Sequence, residues 1–566
     1  MPVAKRPAQN SAAQNMLQDA AAQNAAVQSR TASRKTTAER TTVDAVVVGS
    51  GLGGLVAGAL LARYGRRVVV CESHTLPGGA AHAFTRQYQG QSFTFDSGPS
   101  FYCGLGEAGS ANPLTQVLAV LGESLETIPY EPFGYYHLPE GTLPVYGNAQ
   151  KYQQAIDQFS PGAGAQMAAL EARLLKIYGP LKEVPTLALR ADLWTVPLLA
   201  KRYGRAIARL LPTLPDLDRS MGEVMAPYVS DPWLKRLLDL ECFLLSGMKC
   251  EDTVAPEMAF MFGERASSVI DYPIGGSGAI VEALVRGLKR WGGQLRLGAH
   301  VQKIITKKGK AKGVVLKNGE QINAPIVISN ATRWDTYRHL LDPAGLDPTE
   351  LDSTGLDSTG LDSTGLAASD RQAALSTPAV DSFMHLHLGI RADGLASVPI
   401  HHVVVHNNQK DITTPGNTCM VSIPTVLDPQ QAPAGYHTVH AYTLEPFDGW
   451  QKDEHYEQKK REKAETLFQA IEKIIPDVRD RIELELIGTP LTHSRFLRRY
   501  KGTYGPAISA KSGRFPNGKT PIKGLHLVGD STLPGIGVPA VAASGILCAN
   551  SLVTPKESTA LLDQLN

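Results

Sequence analysis

The chain has 566 residues, of which 43% are hydrophobic and 19% charged, a composition typical of a globular protein with more than one hydrophobic core. The formal net charge of +2 gives no basic field for nucleic acid, and no run of about 18 apolar residues predicts a transmembrane helix. The six cysteines include no Cys-x-x-Cys pair, which argues against a zinc site or a disulfide scaffold and fits a reducing compartment.

The first 42 residues differ from the rest of the chain. They are rich in Ala, Gln, Ser and Thr and carry more basic than acidic residues. Such a segment buries too little apolar surface to offset its ordering entropy, so residues 1–42 are predicted to be disordered. Two interpretations remain open, a cleaved organelle transit peptide and an uncleaved flexible tail.

A nucleotide-binding pattern begins at Val43. The stretch "VDAVVVGSGLGGLVAGALLARYGRRVVVCES" predicts a buried strand, a glycine turn, a helix and a second strand. Gly49, Gly51 and Gly54 supply G-x-G-x-x-G, which permits the turn, the approach of a pyrophosphate and helix–strand packing. Glu72 ends the second strand about 20 residues later, where a carboxylate accepts hydrogen bonds from ribose hydroxyls. The sequence therefore predicts a dinucleotide site.

Further glycine stretches follow this pattern. "ESHTLPGGAAHAF" holds Gly78 and Gly79, and "FDSGPSFYCG" holds Gly98. Residues 292–331 contain alternating strands with a hairpin signal at Asn318-Gly319. Near the C-terminus, "LHLVGDSTLPGIGVPAVAASG" again predicts a strand, a glycine turn and a helix, which would bring N–H groups to an anionic ligand.

On these motifs the chain resembles the FAD-dependent amine-oxidase and phytoene-desaturase superfamily. With "NPLTQVLAVLGESLE", "YPIGGSGAIVEALVRGLKRWGG" and "GTYGPA" it resembles the carotenoid isomerase group within that superfamily, and especially its isomerase-like branch, from Val43 to Leu552. The resemblance implies that Gly529 and Asp530 bind the ribityl chain of FAD and that Val301 lies over the adenine. It also implies that the turn before Val538 faces the isoalloxazine ring.

The implied fold class is α/β, with a Rossmann-type FAD-binding domain assembled from three chain segments and an α+β substrate domain. The FAD-binding segments are 43–105, 266–340 and 486–556, the substrate segments are 106–265 and 341–485, and residues 557–566 form a tail. Within the second substrate segment, the pentad repeat 346–365 is predicted to be a mobile surface loop.

The expected FAD contacts come from all three FAD-binding segments, and no catalytic side chain is identified. Glu241 lies in an apolar stretch as a possible buried acid, with a salt-bridged helix residue as the alternative. The predicted contacts are Gly49, Ser50, Gly51, Gly53, Gly54, Glu72, Ser73, Gly78, Gly79, Gly98, Val301, Ala331, Gly529, Asp530, Gly537 and Val538.

Two histidine pairs raise the question of a metal site. His385 and His387 would share one face of a strand, and His401 and His402 are adjacent. No Cys, Asp or Glu follows nearby to complete a ligand set, so no metal site is predicted.

One stretch suggests a membrane surface. Residues 191–214 combine Leu, Ile and Trp side chains with four cations, as an interfacial helix does. The alternative is a helix packed on the substrate domain with its cations in water. A lipophilic carotenoid substrate favours a peripheral membrane contact; the oligomeric state is left open.

The resemblance implies an enzyme that isomerises a poly-cis carotene between cis and trans forms without net redox change. A desaturase, saturase or hydratase of a carotenoid or related isoprenoid is the alternative, and a non-catalytic isoprenoid-binding protein of the same fold is a remote one. The expected location is a plastid or photosynthetic-membrane surface, or alternatively the cytoplasmic face of a bacterial membrane.

Overall fold

The computed structural model describes residues 40–98, 101–107, 109–341, 362 and 364–565. The strands are β1 (Arg40–Thr42), β2 (Ala45–Val48), β3 (Val68–Cys71), β4 (Ala83–Tyr88), β5 (Gln91–Asp96), β6 (Thr127–Pro129), β7 (Gly134–Leu138), β8 (Gly141–Val145), β9 (Asp271–Pro273), β10 (Gln294–Arg296), β11 (Val301–Lys307), β12 (Lys310–Leu316), β13 (Gln321–Asn323), β14 (Ile326–Ser329), β15 (Ser382–Arg391), β16 (His401–Val405), β17 (Thr418–Ser422), β18 (Tyr436–Glu445), β19 (Ile482–Gly488) and β20 (Leu525–Leu527). The helices are α1 (Leu52–Arg63), α2 (Pro113–Leu121), α3 (Ala149–Phe159), α4 (Ala163–Lys182), α5 (Thr195–Leu210), α6 (Met221–Met225), α7 (Pro232–Ser246), α8 (Ala255–Ser267), α9 (Gly276–Arg290), α10 (Arg333–Asp335), α11 (Ala368–Leu375), α12 (Tyr456–Glu472), α13 (Val478–Arg481), α14 (Pro490–Leu497), α15 (Val538–Ser551) and α16 (Pro555–Leu562).

Five parallel strands form a nucleotide-binding sheet in the order β10-β3-β2-β14-β20. The strands β2 and β3 are apolar and fully buried, as expected for a parallel sheet covered on both faces. Val47 and Val70 face the helices α1, α9 and α15, whereas Val46 and Val69 face the meander β11–β13. The result is a three-layer α/β arrangement, which confirms the predicted fold class.

The parallel sheet draws strands from all three predicted FAD-binding segments. The hairpin signal at Asn318-Gly319 is correct: β12 and β13 pair antiparallel, and Gly319 has the positive φ of 86° that the turn requires. The segment boundaries remain predictions, but three of them need adjustment.

The first adjustment is at the N-terminal end, where residues 40–42 were assigned to a disordered leader but pair as β1 with β13. The second is the boundary between residues 485 and 486, which falls inside β19, a strand of the other sheet. The third is the tail, because α16 begins with a capping box at Thr554 and Glu557 and buries Leu561 and Leu562. Backbone pairing and burial therefore extend the fold at both ends.

The second large sheet has seven strands in the order β19-β15-β18-β17-β16-β7-β8, antiparallel except where β16 runs parallel to β7. One face of β15 packs through Leu386 and Leu388 on α12. The opposite face carries Phe383, His385 and His387, and ring contacts join it to the hairpin β4–β5. This face therefore lies beside the part of the chain that follows the Gly78–Gly79 turn.

The predicted leader, up to residue 39, and most of the pentad repeat 346–365 lie outside the described residues. At the described end of the repeat, Asp362 forms an ion pair with Arg371 at 2.6 Å. Within the described part of the chain, none of the helices combines the length and hydrophobicity needed to cross a membrane.

Candidate functional site

The predicted glycine turn joins β2 to α1. Gly49 has a φ of 91°, and Gly51, which has no side chain, is the N-cap of α1. Asn330 takes the N–H of Gly54, which leaves the N–H groups before it for an anion. A Cβ at Gly54 would lie 2.4 Å from the carbonyl oxygen of Gly49, and one at Gly53 would lie 2.8 Å from the backbone nitrogen of Gly529. The two distant glycine stretches are therefore in direct contact, as two walls of one site.

Glu72 ends β3 and fixes the loop beside it. Its Oε2 accepts hydrogen bonds from the backbone N–H of Ser50 at 2.8 Å and from the Ser50 hydroxyl at 2.7 Å. Its Oε1 accepts from the backbone N–H of His74 at 2.8 Å, with the Ser73 hydroxyl at 3.3 Å. The backbone N–H of Gly78 in turn donates to the carbonyl of Ser50 at 3.0 Å. The acid thus organises the loops around the site.

Asn330 is the central residue that the predicted contact set missed. Its Oδ1 accepts from the backbone N–H of Gly54 at 3.1 Å, and a Cβ added at Gly51 would lie 2.4 Å from its Nδ2. The sequence signal is the "NA" at residues 330–331, which directly follows β14. Only the parallel pairing of β14 with β2, however, shows that Asn330 lies against the glycine turn.

A cavity of about 640 Å³ opens where β2 and β3 end, beside the glycine turn. It also carries a cluster of cations that the sequence analysis did not identify: Arg495, Arg498, Arg499 and Lys501. Arg495 lies in the last turn of α14 and the other three follow that helix. Together they would attract a pyrophosphate. Among the predicted contacts, its lining includes Gly49, Gly51, Glu72, Ser73, Gly79, Val301 and Ala331.

Other predicted contacts support the cavity without lining it. Gly98 contacts the loop after Gly79, since a Cβ there would lie 2.2 Å from the carbonyl oxygen of Ala80. Gly537 has a φ of 102° and is the N-cap of α15, which Val538 begins. Ser50, Gly53, Gly54, Gly78 and Gly529 form the turn contacts described above.

Asp530 lies beside Arg499, and the two side chains form an ion pair at 2.5 Å. The guanidinium also donates to the backbone carbonyls of Thr503 and Tyr504. Sequence reasoning treated Asp530 as a ligand to the ribityl chain. The structure shows a further role for Asp530, because one of its carboxylate oxygens forms an ion pair with Arg499 of the cavity wall.

These residues fit FAD. The glycine cradle, residues 49–54, has room for a pyrophosphate, whose charge the N-terminal end of α1 and the arginines would complement. Glu72 lines the same cavity and presents carboxylate oxygens that would accept hydrogen bonds from a ribose. Residues 52–553 match the family of flavin containing amine oxidoreductases. The protein belongs to this family of flavin enzymes, and its cofactor is FAD.

Proteins similar in sequence to this chain include carotenoid enzymes. It is 34% identical to prolycopene isomerase 1, chloroplastic, of an Oncidium hybrid cultivar, over 88% of this chain and 82% of that protein. It is 27% identical to the neurosporene-forming phytoene desaturase of Rhodobacter capsulatus, over 90% and 94% of the two chains. Among solved structures, an oxidoreductase from Methanosarcina mazei has a TM-score of 0.55 at 19% identity, covering 89% of this chain and 98% of that one, which supports the fold.

Two acids, the buried Glu241 and the half-buried Glu257, differ in their partners. Glu241 accepts from Arg265 Nη1 at 2.9 Å and from the hydroxyl of Tyr152 at 2.9 Å, so the salt-bridged alternative is correct. Glu257, which sequence reasoning missed, lies in the first turn of α8, and its Oε1 is 3.0 Å from where a Cβ on Gly535 would be. Burial raises the pKa of Glu257 to about 8, so this acid is mostly protonated at neutral pH.

Burial disfavours the charged form of the histidines on the face of β15 and β18 that carries His385. Burial lowers the pKa of His387 to about 3 and holds the pKa values of His385 and His440 well below the ordinary range. The same cause lowers the pKa of His493, which stacks on His385, to about 4. The sheet face beside the FAD site is therefore aromatic and neutral.

Proposed function

We propose that this protein acts on a carotenoid polyene and isomerises a poly-cis carotene between cis and trans forms without net redox change. The observation that carries the proposal is the 34% identity to a prolycopene isomerase over 88% of this chain. The glycine cradle described above is the matching site for the cofactor.

The chemistry of the substrate sheet supports a hydrocarbon substrate. Phe84, Phe95 and Phe383 surround the neutral histidines on the face that adjoins the FAD site. A polyene offers no charge or hydrogen-bonding group, so an uncharged aromatic surface that excludes water suits it. Reduced FAD, when bound, would supply the transient electron or proton donation that lowers the order of a double bond.

The chain's own residues would support that step in two ways. The helix α15 begins at Val538 directly after the turn Pro534–Gly537, and its N-terminus favours negative charge at the ring that the turn is inferred to face. Glu257 lies against the same turn as a protonated acid. It can donate a proton there and recover it, as an isomerisation without net change requires.

A desaturase is the second candidate, and the 27% identity to a phytoene desaturase over 90% of this chain favours it. Saturation and hydration are further alternatives with the same cofactor. The four reactions differ in the mass of the product, because isomerisation leaves the mass unchanged. Desaturation removes hydrogen, saturation adds hydrogen, and hydration adds water.

The test is anaerobic incubation of the reduced, FAD-loaded protein with a panel of poly-cis and all-trans carotenes, followed by chromatography and mass analysis. An all-trans product of unchanged mass supports the isomerase. A parallel incubation with the oxidised, FAD-loaded protein tests the second candidate, because oxidised FAD can accept the hydrogen that desaturation removes. A product that loses hydrogen there supports the desaturase, whereas a product of the reduced protein that gains hydrogen supports a saturase. If the FAD-loaded protein leaves every carotene unchanged, the proposal is wrong. A flavin-free sample of the same protein is the control.

We also propose that the segment around α5 contacts a membrane surface. Leu193 is 92% exposed, Val196 71% and Trp194 59%. Lys201 and Arg205 are exposed on the same helix, whereas Arg209 pairs with Glu183 and Arg202 with Asp563. Exposed apolar side chains beside exposed cations suit the headgroup boundary of an anionic bilayer. Because the plant relatives are chloroplastic, a plastid membrane surface is the proposed location.

A further inference from the structure

Exposed lysines cluster along one edge of the parallel sheet. Three lie at the turn between β11 and β12, and two lie in the segment that leads into β20. These residues, which we call the lysine edge, are Lys307, Lys308, Lys310, Lys519 and Lys523. The whole chain has 56 Lys and Arg residues and 54 Asp and Glu residues, yet residues 301–317 and 517–529 contain no acid. The lysine edge is therefore a local excess of positive charge.

Backbone contacts hold the two groups of lysines together. Lys307 lies directly opposite Lys310 in the hairpin of β11 and β12. Lys310 in turn bridges to Lys523 in parallel. The backbone N–H of Lys523 donates to the carbonyl of Gly309 at 2.9 Å, and the N–H of Ala311 donates to the carbonyl of Lys523 at 2.9 Å. The positive charges are thus fixed side by side by the fold.

The fold itself gains nothing from these charges. Like charges directly opposite each other on paired strands, as on Lys307 and Lys310, are destabilising. Lys308 has a φ of 51° in the turn, a conformation that favours Asn or Gly. Lys249 and Lys501 pair with carboxylates at 2.6 and 2.8 Å, whereas no lysine of the lysine edge forms an ion pair within the described part of the chain. An anionic surface would relieve this repulsion.

The lysine edge adjoins the exposed apolar segment before α5. The strand β20 is the edge strand of the parallel sheet. Lys519 lies beside this strand and lines a groove that Ala191 also lines. Leu193 and Trp194, which follow closely along the chain, are 92% and 59% exposed. Positive charge and exposed apolar side chains therefore meet at the same edge of the molecule.

We propose that the lysine edge binds the surface of an anionic bilayer, as a second contact beside the segment around α5. The inference rests on the membrane contact proposed above and adds the part of the FAD-binding sheet that faces the lipid. Peripheral binding strengthens with the apolar area inserted and with the attraction of cations to anionic lipid. Leu193 and Trp194 supply the first, and the lysine edge supplies the second. Asp192 between them is already paired with Arg190 at 2.6 Å.

This contact leaves the FAD site free. The FAD cavity opens where β2 and β3 end, whereas Lys523 precedes the start of β20 and so lies towards the opposite end of the parallel sheet. Among the described residues, those that line the FAD cavity include none of the five lysines. Substitutions in the lysine edge should therefore change membrane binding without changing FAD content.

The test is sedimentation of the full, FAD-loaded chain with vesicles of phosphatidylcholine alone and of phosphatidylcholine mixed with phosphatidylglycerol in equal parts. The lysine-edge variant combines Lys307→Gln, Lys308→Gln, Lys310→Gln and Lys523→Gln. One cation near an anionic surface contributes a factor of about five in binding. We expect this variant to bind the mixed vesicles about a hundred-fold or more weakly than the parent. The difference should shrink as salt is raised, because salt screens exposed charges.

A control variant removes the same number of charges elsewhere. It combines substitutions to Gln at four exposed lysines outside this edge, which are Lys235, Lys289, Lys410 and Lys452. The control should bind the mixed vesicles like the parent. Equal losses in the control and the lysine-edge variant would overturn the proposal, because net charge and not this surface would then govern binding.

A third variant, Leu193→Ser with Trp194→Ser, tests the α5 contact by itself. If it loses binding while the lysine-edge variant binds like the parent, the α5 contact stands and the lysine edge serves another partner. The acidic pentad repeat is one such partner, since its described end at Gly365 lies against Gly309. Loss in the lysine-edge variant alone would support the lysine edge and count against α5. A parent that binds neither vesicle would overturn both.

Flavin absorbance and the thermal unfolding midpoint establish that each variant is folded. If the fourfold variant does not fold, the double variant Lys308→Gln with Lys523→Gln decides the matter. Its expected loss on the mixed vesicles is about twenty-fold. A folded double variant that binds them like the parent would overturn the proposal.

Discussion

The two large sheets of this protein present surfaces of different chemical character. At the parallel sheet the site is made of backbone and charge: glycine turns, the start of α1, Glu72 and a wall of arginines. On the seven-stranded sheet the facing surface is made of uncharged rings, several of them histidines that burial keeps neutral. The first suits an anionic cofactor, and the second would suit the hydrocarbon substrate proposed above.

The difference shows where substitutions should act. At the parallel sheet, atoms are packed so closely that a single methyl group has no room. On the seven-stranded sheet and the exposed helix α5, individual side chains contribute smaller and separable amounts. Four predictions test this contrast, in decreasing order of expected effect.

The largest effect is expected for Gly54→Ala. The added Cβ would lie 2.4 Å from the carbonyl oxygen of Gly49, a backbone atom that cannot move without opening the turn. Overpacking costs about 1–3 kcal/mol, and more where backbone must shift, so FAD binding should weaken by about a hundred-fold or more. Gly179→Ala on α4 is the matched control, because its Cβ meets no atom within 4 Å. Fluorescence titration of apoprotein with FAD measures both, and normal FAD affinity in Gly54→Ala would contradict the packing.

The glycine turn and the acid beside it could be predicted from the sequence for a local reason. Glycines at fixed spacing and an acid after the next strand are local patterns, so Gly49, Gly51 and Glu72 could be identified without knowing the fold. Asn330 could not be identified, because its role depends on β14 lying beside β2. The meeting of His385 with His440 depends on strand pairing across 55 residues of chain, which periodicity does not reveal.

The second prediction concerns Glu257 and pH. The folded protein keeps a proton on this acid up to a pKa of about 8, whereas the unfolded chain loses it near 4.5. Between these values unfolding releases a proton, so the contribution of Glu257 to the free energy of unfolding falls as pH rises and is lost above pH 8. Each pKa unit corresponds to about 1.4 kcal/mol, so the total is about a few kcal/mol.

Glu257→Gln removes this dependence. Relative to the parent, the variant should gain stability steadily from pH 5 to pH 8.5, as followed by the thermal unfolding midpoint. Glu462→Gln, at an exposed position on α12, is the control and should track the parent at every pH. A constant difference between Glu257→Gln and the parent over this range would show that the carboxyl group is not protonated in the folded state.

The third prediction is Asp530→Ala, which removes an acceptor beside the FAD site. A hydrogen bond to a charged group contributes about 1.5–3 kcal/mol, so FAD should bind about ten- to a hundred-fold more weakly. Because Asp530 also pairs with Arg499, Arg499→Met is the necessary companion. It leaves the carboxylate in place and removes the ion pair together with a cation of the cavity wall and the hydrogen bonds to Thr503 and Tyr504. If both variants lose the same affinity for FAD, Asp530 acts by holding the arginine and not by contacting the cofactor.

The smallest effect is expected on the exposed helix. Arg205 is exposed on α5, and a cation near an anionic bilayer contributes about 1 kcal/mol, a factor of about five in binding. Arg205→Gln should therefore weaken sedimentation with anionic vesicles about five-fold and leave FAD content unchanged, because α5 lies outside the cavity. Lys303→Gln, an exposed cation on β11, is the matched control and should sediment like the parent. Equal loss in both variants would mean that overall charge, and not this helix, governs binding. No loss in either would leave Leu193 and Trp194 exposed for a reason other than a lipid surface.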